Sequence, residues 1–256
     1  MHLLDQLERP IIFAHRGASV FAPENTMSAF KLAVKLGVKA IELDTMLSSD
    51  GIPVVIHDQL LERTTNGHGQ VGDYKYSELA QLDAGSWFSD TCKGEKIPAL
   101  SQILEYFSGR VLINIELKNF HAPNDNLTET VMQLVDQNYL WDSILFSSFL
   151  PRNLRLIRKR KPDAKVALLC PAGSGGWVFR SSIYKKLSPE IIHLAKEDVT
   201  REYLQHEHHR GRRVHVWTVN DKTRAEELFL DNVDGIITDD PVTMLEILRQ
   251  NSSPVK

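Results

Sequence analysis

Short apolar, β-branched runs recur along the chain with amphipathic segments between them, and this alternation restricts the fold more than any other feature. Nine runs have strand length: 11–15, 39–46, 53–57, 111–118, 143–148, 165–169, 191–195, 214–219 and 235–238. Most of the segments between them carry helical spacing and helical ends. After Thr26, the residues Phe30, Ala33 and Val34 mark a buried face that Gly37 terminates. Further helices are expected near Ser101, at Pro151, at Thr200, near Asp221 and at Pro241. Proline is favourable at a first helical position, because its missing N–H has no intrahelical acceptor there. Such alternation predicts a parallel sheet with crossover helices.

One strand breaks the pattern. Between Met46 and Val54 only "LSSDGIP" intervenes, too short for a helix. Asp50-Gly51 tolerates the positive φ of a tight turn, so 53–57 is expected to fold back antiparallel on 39–46. A two-residue loop would make paired residue numbers sum to 101 and set His57 opposite Asp44. Cross-strand partners share a face, with Cβ atoms about 4.5–5.5 Å apart. Removing this hairpin strand leaves eight, the number of a (β/α)8 TIM barrel, and 256 residues suit one such domain over 1–256. The segment at about 59–100, rich in Gly, Thr and Asp, reads as a small insertion after that hairpin, with one short helix at 77–82.

Composition excludes several function classes. A formal charge of −3 gives no electrostatic footprint for nucleic acid or an anionic membrane. The basic stretch "RNLRLIRKRK" surrounds Leu154, Leu156 and Ile157 at helical spacing, which predicts a solvated helix face. Two cysteines, Cys92 and Cys170, make neither a disulfide framework nor a zinc site. The first residues include Asp5, Glu8 and Arg9 without an apolar core segment, and no run approaches the ~18 apolar residues of a membrane span. A cytoplasmic protein without a membrane anchor is expected.

Functional side chains of a parallel barrel lie at the C-terminal ends of its strands. Those ends carry His15-Arg16, then Glu42 and Asp44, then His57-Asp58, then Glu116 and Lys118, with Ser147-Ser148 and Trp217 further on. Alternation sets Glu42 and Asp44 on one face, and Glu116 and Lys118 on one face. Barrel interiors are normally apolar, and buried carboxylates there need a partner charge. Glu42, Asp44 and Glu116 therefore call for a cation, and oxygen ligands suit Mg²⁺, Ca²⁺ or Mn²⁺. An ion-pair network with Arg16 and Lys118 is the simpler alternative. Two imidazoles beside a cation, with added positive charge, describe a site that cleaves an anionic ester.

The stretches "AHRGASVFAPENT", "AIELDTMLSSDGIPVVIHD", "RTTNG", "INIELK", "VWTVN" and "DGIITDDP" resemble the glycerophosphodiester phosphodiesterases, in that family's order and across residues 11–241. The resemblance implies a TIM barrel, one divalent cation (Mg²⁺ or Ca²⁺, with Mn²⁺ as a further candidate) and hydrolysis of small glycerophosphodiesters to an alcohol and sn-glycerol 3-phosphate. It implies His15 and His57 as the acid/base pair, and Glu42, Asp44 and Glu116 as metal ligands. Arg16 and Lys118 would contact phosphate, Trp217 would lie near the glycerol, and Phe149 would form a wall. A lysophospholipid is the nearest alternative substrate. A non-catalytic phosphodiester sensor would have lost one of these groups, and none is lost. A barrel aldolase with Lys118 as base leaves the two histidines unexplained. Pro23-Glu24-Asn25-Thr26 reads as a turn and helix cap at least as readily as a substrate contact. "HEHH" (206–209) lacks the spacing of a helical zinc motif and is expected at the surface, while "PAGSGG" (171–176) is expected as a mobile loop at the mouth.

Overall fold

The computed structural model describes residues 1–181, 184, 186 and 190–252. Its strands are β1 (Ile11–His15), β2 (Ala40–Leu47), β3 (Pro53–Val55), β4 (Leu112–Leu117), β5 (Ile144–Ser148), β6 (Lys165–Cys170), β7 (Ile191–Ala195), β8 (Arg213–Trp217) and β9 (Gly235–Thr238). Their order is β1-β9-β8-β7-β6-β5-β4-β2-β3, and an additional β1–β2 pairing closes the ring. All pairs within the ring are parallel, and β3 alone runs antiparallel, on β2. This is a closed eight-stranded parallel barrel with helices around it and one strand outside, a (β/α)8 TIM barrel.

The strands bury both faces, and two apolar clusters result. Outward residues such as Ile41, Leu43, Ile113, Ile115 and Phe146 pack against the surrounding helices. Inward residues such as Ile11, Phe13, Leu112, Leu145 and Ile191 plug the barrel, and Leu4 from the helix Leu3–Gln6 packs with them. The helix Met27–Lys35 follows β1 because Thr26 caps it, its hydroxyl accepting from the Ala29 N–H. Gly17 permits the tight approach: with φ +88°, a Cβ there would lie 2.6 Å from Ala29 backbone.

Four local expectations need correction. The β2–β3 register pairs Thr45 with Val55 and Leu47 with Pro53, so partners sum to 100 and His57 is not opposite Asp44. The loop has three residues between Ser48 and Ile52, closed by Ser48 N–H to Ile52 C=O at 3.0 Å, with Gly51 at φ +78°. Three-residue hairpin loops end on a left-handed residue, so Asp-Gly marked the turn but not its length. The stretch "PAGSGG" enters a helix, Ser174–Arg180. The helix expected at 77–82 is Tyr76–Leu79, in a segment with its own apolar cluster that includes Leu61, Val71, Leu79 and Ile97. Finally, "HEHH" is only partly exposed: Glu207 is buried against Arg212 at 3.3 Å, and His208 pairs with Asp234 at 2.8 Å. The basic stretch forms the helix Pro151–Arg160, with Leu154 and Ile157 buried. No helix among the described residues is long and apolar enough to cross a membrane.

Candidate active site

Parallel register brings the charged side chains together at one end of the barrel. His15 is level with Glu42, and Asp44 is level with Glu116 on the next strand. One carboxylate oxygen from each of Glu42, Asp44 and Glu116 lies within 4.8 Å of the others. Glu42 and Asp44 are buried, and Glu116 is nearly so. Burial, reinforced by Asp44 and Glu116, pushes the Glu42 carboxyl well above its ordinary value. Burial also raises Glu116, with Lys118 opposing the shift. Asp44 behaves oppositely: burial would raise it, but Arg16 and then Lys118 hold it well below the usual carboxylate range. Its Oδ2 accepts from Asn25 Nδ2 at 2.9 Å and lies 3.1 Å from Arg16 Nε. Its Oδ1 is buried without a hydrogen-bond partner among the described residues, 3.7 Å from Lys118 Nζ. Three crowded carboxylates, two of them disfavoured as anions, with one acceptor oxygen unused, fit a divalent cation.

The imidazoles flank this cluster. His15 Nδ1–H donates to Asp239 Oδ1 at 2.6 Å, while its Nε2 lies 4.0 Å from Glu42 Oε2. His57 Nδ1–H donates to Asp58 Oδ1. Although burial opposes ionisation, hydrogen bonds hold Asp58 at about 2, and Asp239 is likewise lowered to about 2. Both histidines thus donate through Nδ1 to an anion, which leaves Nε2 as the free ring nitrogen. His57 itself is lowered, mainly by burial, with Asp44 opposing. His57 reaches the site although it lies two residues beyond β3, because the chain leaves the sheet at Ile56, whose N–H still bonds the Asp44 carbonyl at 3.1 Å.

Positive charge is held by a chain of ion pairs. Arg16, at φ +56°, donates its backbone N–H to Glu42 Oε2 at 3.0 Å and its Nη1 to Glu24 Oε1 at 2.9 Å. Glu24 also accepts twice from Arg63, each at 2.8 Å, and Arg63 Nε donates to Asp58. Lys118 donates to Glu116 at 3.3 Å. Phe149 and Trp217 meet edge to face with ring centroids 5.7 Å apart.

Two cavities share this cluster. A smaller one of about 190 Å³ is lined by every expected site residue except Asp44. A larger one of about 820 Å³ opens between the segment after β3 and the loop after β4. His57, Glu116, Lys118 and Phe149 line both. Asp58, Arg63 and Asp239 received no role from the sequence, and Glu24 and Asn25 were read as part of a turn and cap, although each falls in a quoted motif. Their signal was present, but it does not name the partner, which ranges from the neighbouring residue for Asp58 to His15, 224 residues away, for Asp239.

Comparison with known proteins shows the family and agrees with the fold. Residues 15–243 match the model of the glycerophosphoryl diester phosphodiesterase family. A glycerophosphodiester phosphodiesterase of Caldanaerobacter subterraneus subsp. tengcongensis is 35% identical over 243 residues, covering 94% of this chain and 99% of that protein. One from Bacillus altitudinis is 35% identical, covering 93% and 98%. Among solved structures, an Oleispira antarctica phosphodiesterase in complex with the product sn-glycerol-3-phosphate superposes with TM-score 0.86 at 31% identity, covering 94% of this chain and 97% of that one. A glycerophosphodiester phosphodiesterase from Agrobacterium tumefaciens gives TM-score 0.78 at 31% identity, covering 92% and 99%.

Proposed function

The chain belongs to the glycerophosphoryl diester phosphodiesterase family, and from that membership we propose that it hydrolyses small glycerophosphodiesters to an alcohol and sn-glycerol 3-phosphate with His15 and His57 as acid and base. The observation that carries this reading is the carboxylate cluster of Glu42, Asp44 and Glu116 with an Asp-oriented imidazole beside it from each of two strand ends. The product held by the Oleispira relative supports the same substrate class.

In this mechanism Glu42, Asp44 and Glu116 hold one divalent ion, Mg²⁺ or Ca²⁺, with Mn²⁺ sharing the same preference for oxygen ligands. When bound, the ion supplies Lewis-acid stabilisation of charge on the phosphoryl oxygens. Arg16 and Lys118 bind the phosphate and stabilise charge that develops during in-line attack. His57 lines both cavities, which supports its role as the acid that protonates the departing alkoxide through Nε2. His15, confined to the smaller cavity, takes the proton of the nucleophile on the opposite side. The segment 59–100 contributes Gln59, Leu60 and Gln70 to 73 to the wall of the larger cavity, and serves as an insertion within one catalytic domain.

The test is release of sn-glycerol 3-phosphate from glycerophosphocholine, with and without chelator, for wild type and His15→Ala. Chelation abolishes turnover, and the substitution lowers kcat by roughly 10²–10⁴-fold while the fold survives. Unchanged turnover in either arm rejects the mechanism.

A further inference from the structure

The cavity of about 820 Å³ has a wall that the chemistry above leaves unused. His57, the acid of the proposed reaction, lines it, so its occupant is the departing alcohol. Leu47, Val71, Phe149 and Leu150 are part of its lining. Leu60 and Phe120 line it too, from the two segments between which it opens, yet they are 53% and 66% exposed. Single exposed apolar side chains are ordinary, but two large ones at the opening of one apolar-lined cavity mark a binding surface. Val20, Phe21 and Trp177, also exposed, lie on segments that follow β1 and β6, at the same end of the barrel.

The charges of the same wall decide between a cationic and an apolar alcohol. Asp58 already accepts from His57 and Arg63, and Glu116 from Lys118. Asp125 accepts from Asn119 Nδ2 at 2.7 Å and from the Leu127 N–H at 3.1 Å. Asp73 is the remaining carboxylate among the residues that line the cavity. It is exposed, where water and salt screen its pull on an ammonium group. Lys118, on the same wall, repels one. A quaternary or primary ammonium therefore finds little here that water does not offer, whereas a hydrocarbon chain covers Leu60 and Phe120 and removes both from water.

We propose that this cavity selects a leaving alcohol with an apolar body, so that the chain hydrolyses amphiphilic esters of sn-glycerol 3-phosphate, with Leu60 and Phe120 as specificity-determining residues. The inference rests on the hydrolytic reading above and extends it from small head groups to alkyl ones. The bond changes are the same. Net, water adds across the bond between phosphorus and the alcohol oxygen. Phosphorus gains an oxygen, the alcohol leaves with a proton from His57, and His15 takes a proton from the nucleophile.

Release of sn-glycerol 3-phosphate from its methyl, butyl and octyl esters and from glycerophosphocholine, with saturating Mg²⁺ and below micelle-forming concentrations, reads this cavity. In wild type kcat/KM should rise about three- to four-fold per methylene over the first few carbons, mainly through KM, because a buried chain stabilises ground state and transition state alike. Glycerophosphocholine should fall nearer the methyl ester than the octyl ester. Leu60→Ser and Phe120→Ser replace exposed side chains and should leave thermal unfolding unchanged. Each should cut the octyl-to-methyl ratio of kcat/KM by about ten-fold. A ratio near one in wild type, a preference for the choline ester over the octyl ester, or an unchanged ratio in both variants overturns the inference while hydrolysis stands. No release from any ester overturns the hydrolytic reading and this inference with it.

Discussion

At the scale of single residues, the site is organised by two carboxylates that each hold an imidazole. Asp58 and Asp239 each accept from a histidine Nδ1, and each is fixed by a second donor, Arg63 for Asp58 and Asn220 Nδ2 at 2.6 Å for Asp239. An amide at either position can also donate, which favours the wrong tautomer of its imidazole. Asp239→Asn and Asp58→Asn should therefore lower kcat by roughly 10²–10⁴-fold with KM little changed. Loss in KM alone would mean that these groups only shape the pocket. Arg63→Ala, which frees one end of Asp58 while keeping its charge, should cost less than Asp58→Asn in the same assay. The inward carboxylates were legible in the sequence because the period of a strand assigns faces, and a barrel interior tolerates charge only for a reason. The orienting pair was not legible, because an aspartate that follows a histidine or ends a strand looks like any turn residue until the ring closes. Asn25 was read as part of a cap, and it also holds Asp44 through both its amide nitrogen and its carbonyl oxygen.

At the scale of elements, strand count and helix order follow from the hydrophobic period, while turns decide the details that the period leaves open. The hairpin register slipped by one because an Asp-Gly pair serves two-residue and three-residue loops alike, and the left-handed Gly51 here ends the longer form. A one-residue slip normally exchanges faces. His57 escapes that consequence because β3 stops at Val55 and the chain turns before reaching it. Glycines test these local arguments. Gly51→Ala meets no neighbour within 4 Å but must hold φ +78°, so it should cost about 1–2 kcal/mol in denaturant unfolding. Gly17→Ala adds a clash at 2.6 Å with Ala29 backbone to a φ of +88°, so a loss of about 2–4 kcal/mol is expected. Because Gly17 follows Arg16, that variant should also weaken activity, whereas Gly51→Ala should not. Equal stability losses would show that the fit of the helix Met27–Lys35 against β1 is not the source of the constraint.

At the scale of the whole molecule, the buried carboxylate cluster sets a pH-dependent burden on the fold. Glu42 and Glu116 have folded-state values raised above their unfolded values, chiefly by burial. Below the unfolded value both states hold these protons, and the native state loses nothing. As pH rises, the unfolded chain releases protons first, and stability falls by up to about 1.4 kcal/mol per pH unit for each proton still held. Asp44 works in the opposite sense, since Arg16 and Lys118 keep it ionised and its contribution disappears only under strong acid. A divalent ion held by the cluster would replace the missing protons as the counter-charge and would favour the folded chain, which alone brings the three carboxylates together. At a hundred times its dissociation constant it should add about 2.7 kcal/mol. In thermal unfolding, Mg²⁺ or Ca²⁺ should therefore raise Tm by roughly 5–10 °C at pH 8 and by much less at pH 5, where protons compete for the same oxygens. Glu42→Gln removes one of the crowded charges, so the ion-free variant should be more stable than ion-free wild type at pH 8 and should respond weakly to the ion. Sodium chloride at matched ionic strength controls for screening. A Tm at pH 8 that ignores the divalent ion would mean that the three carboxylates are neutralised by Arg16 and Lys118 alone, and the cluster would then be an ion-pair network.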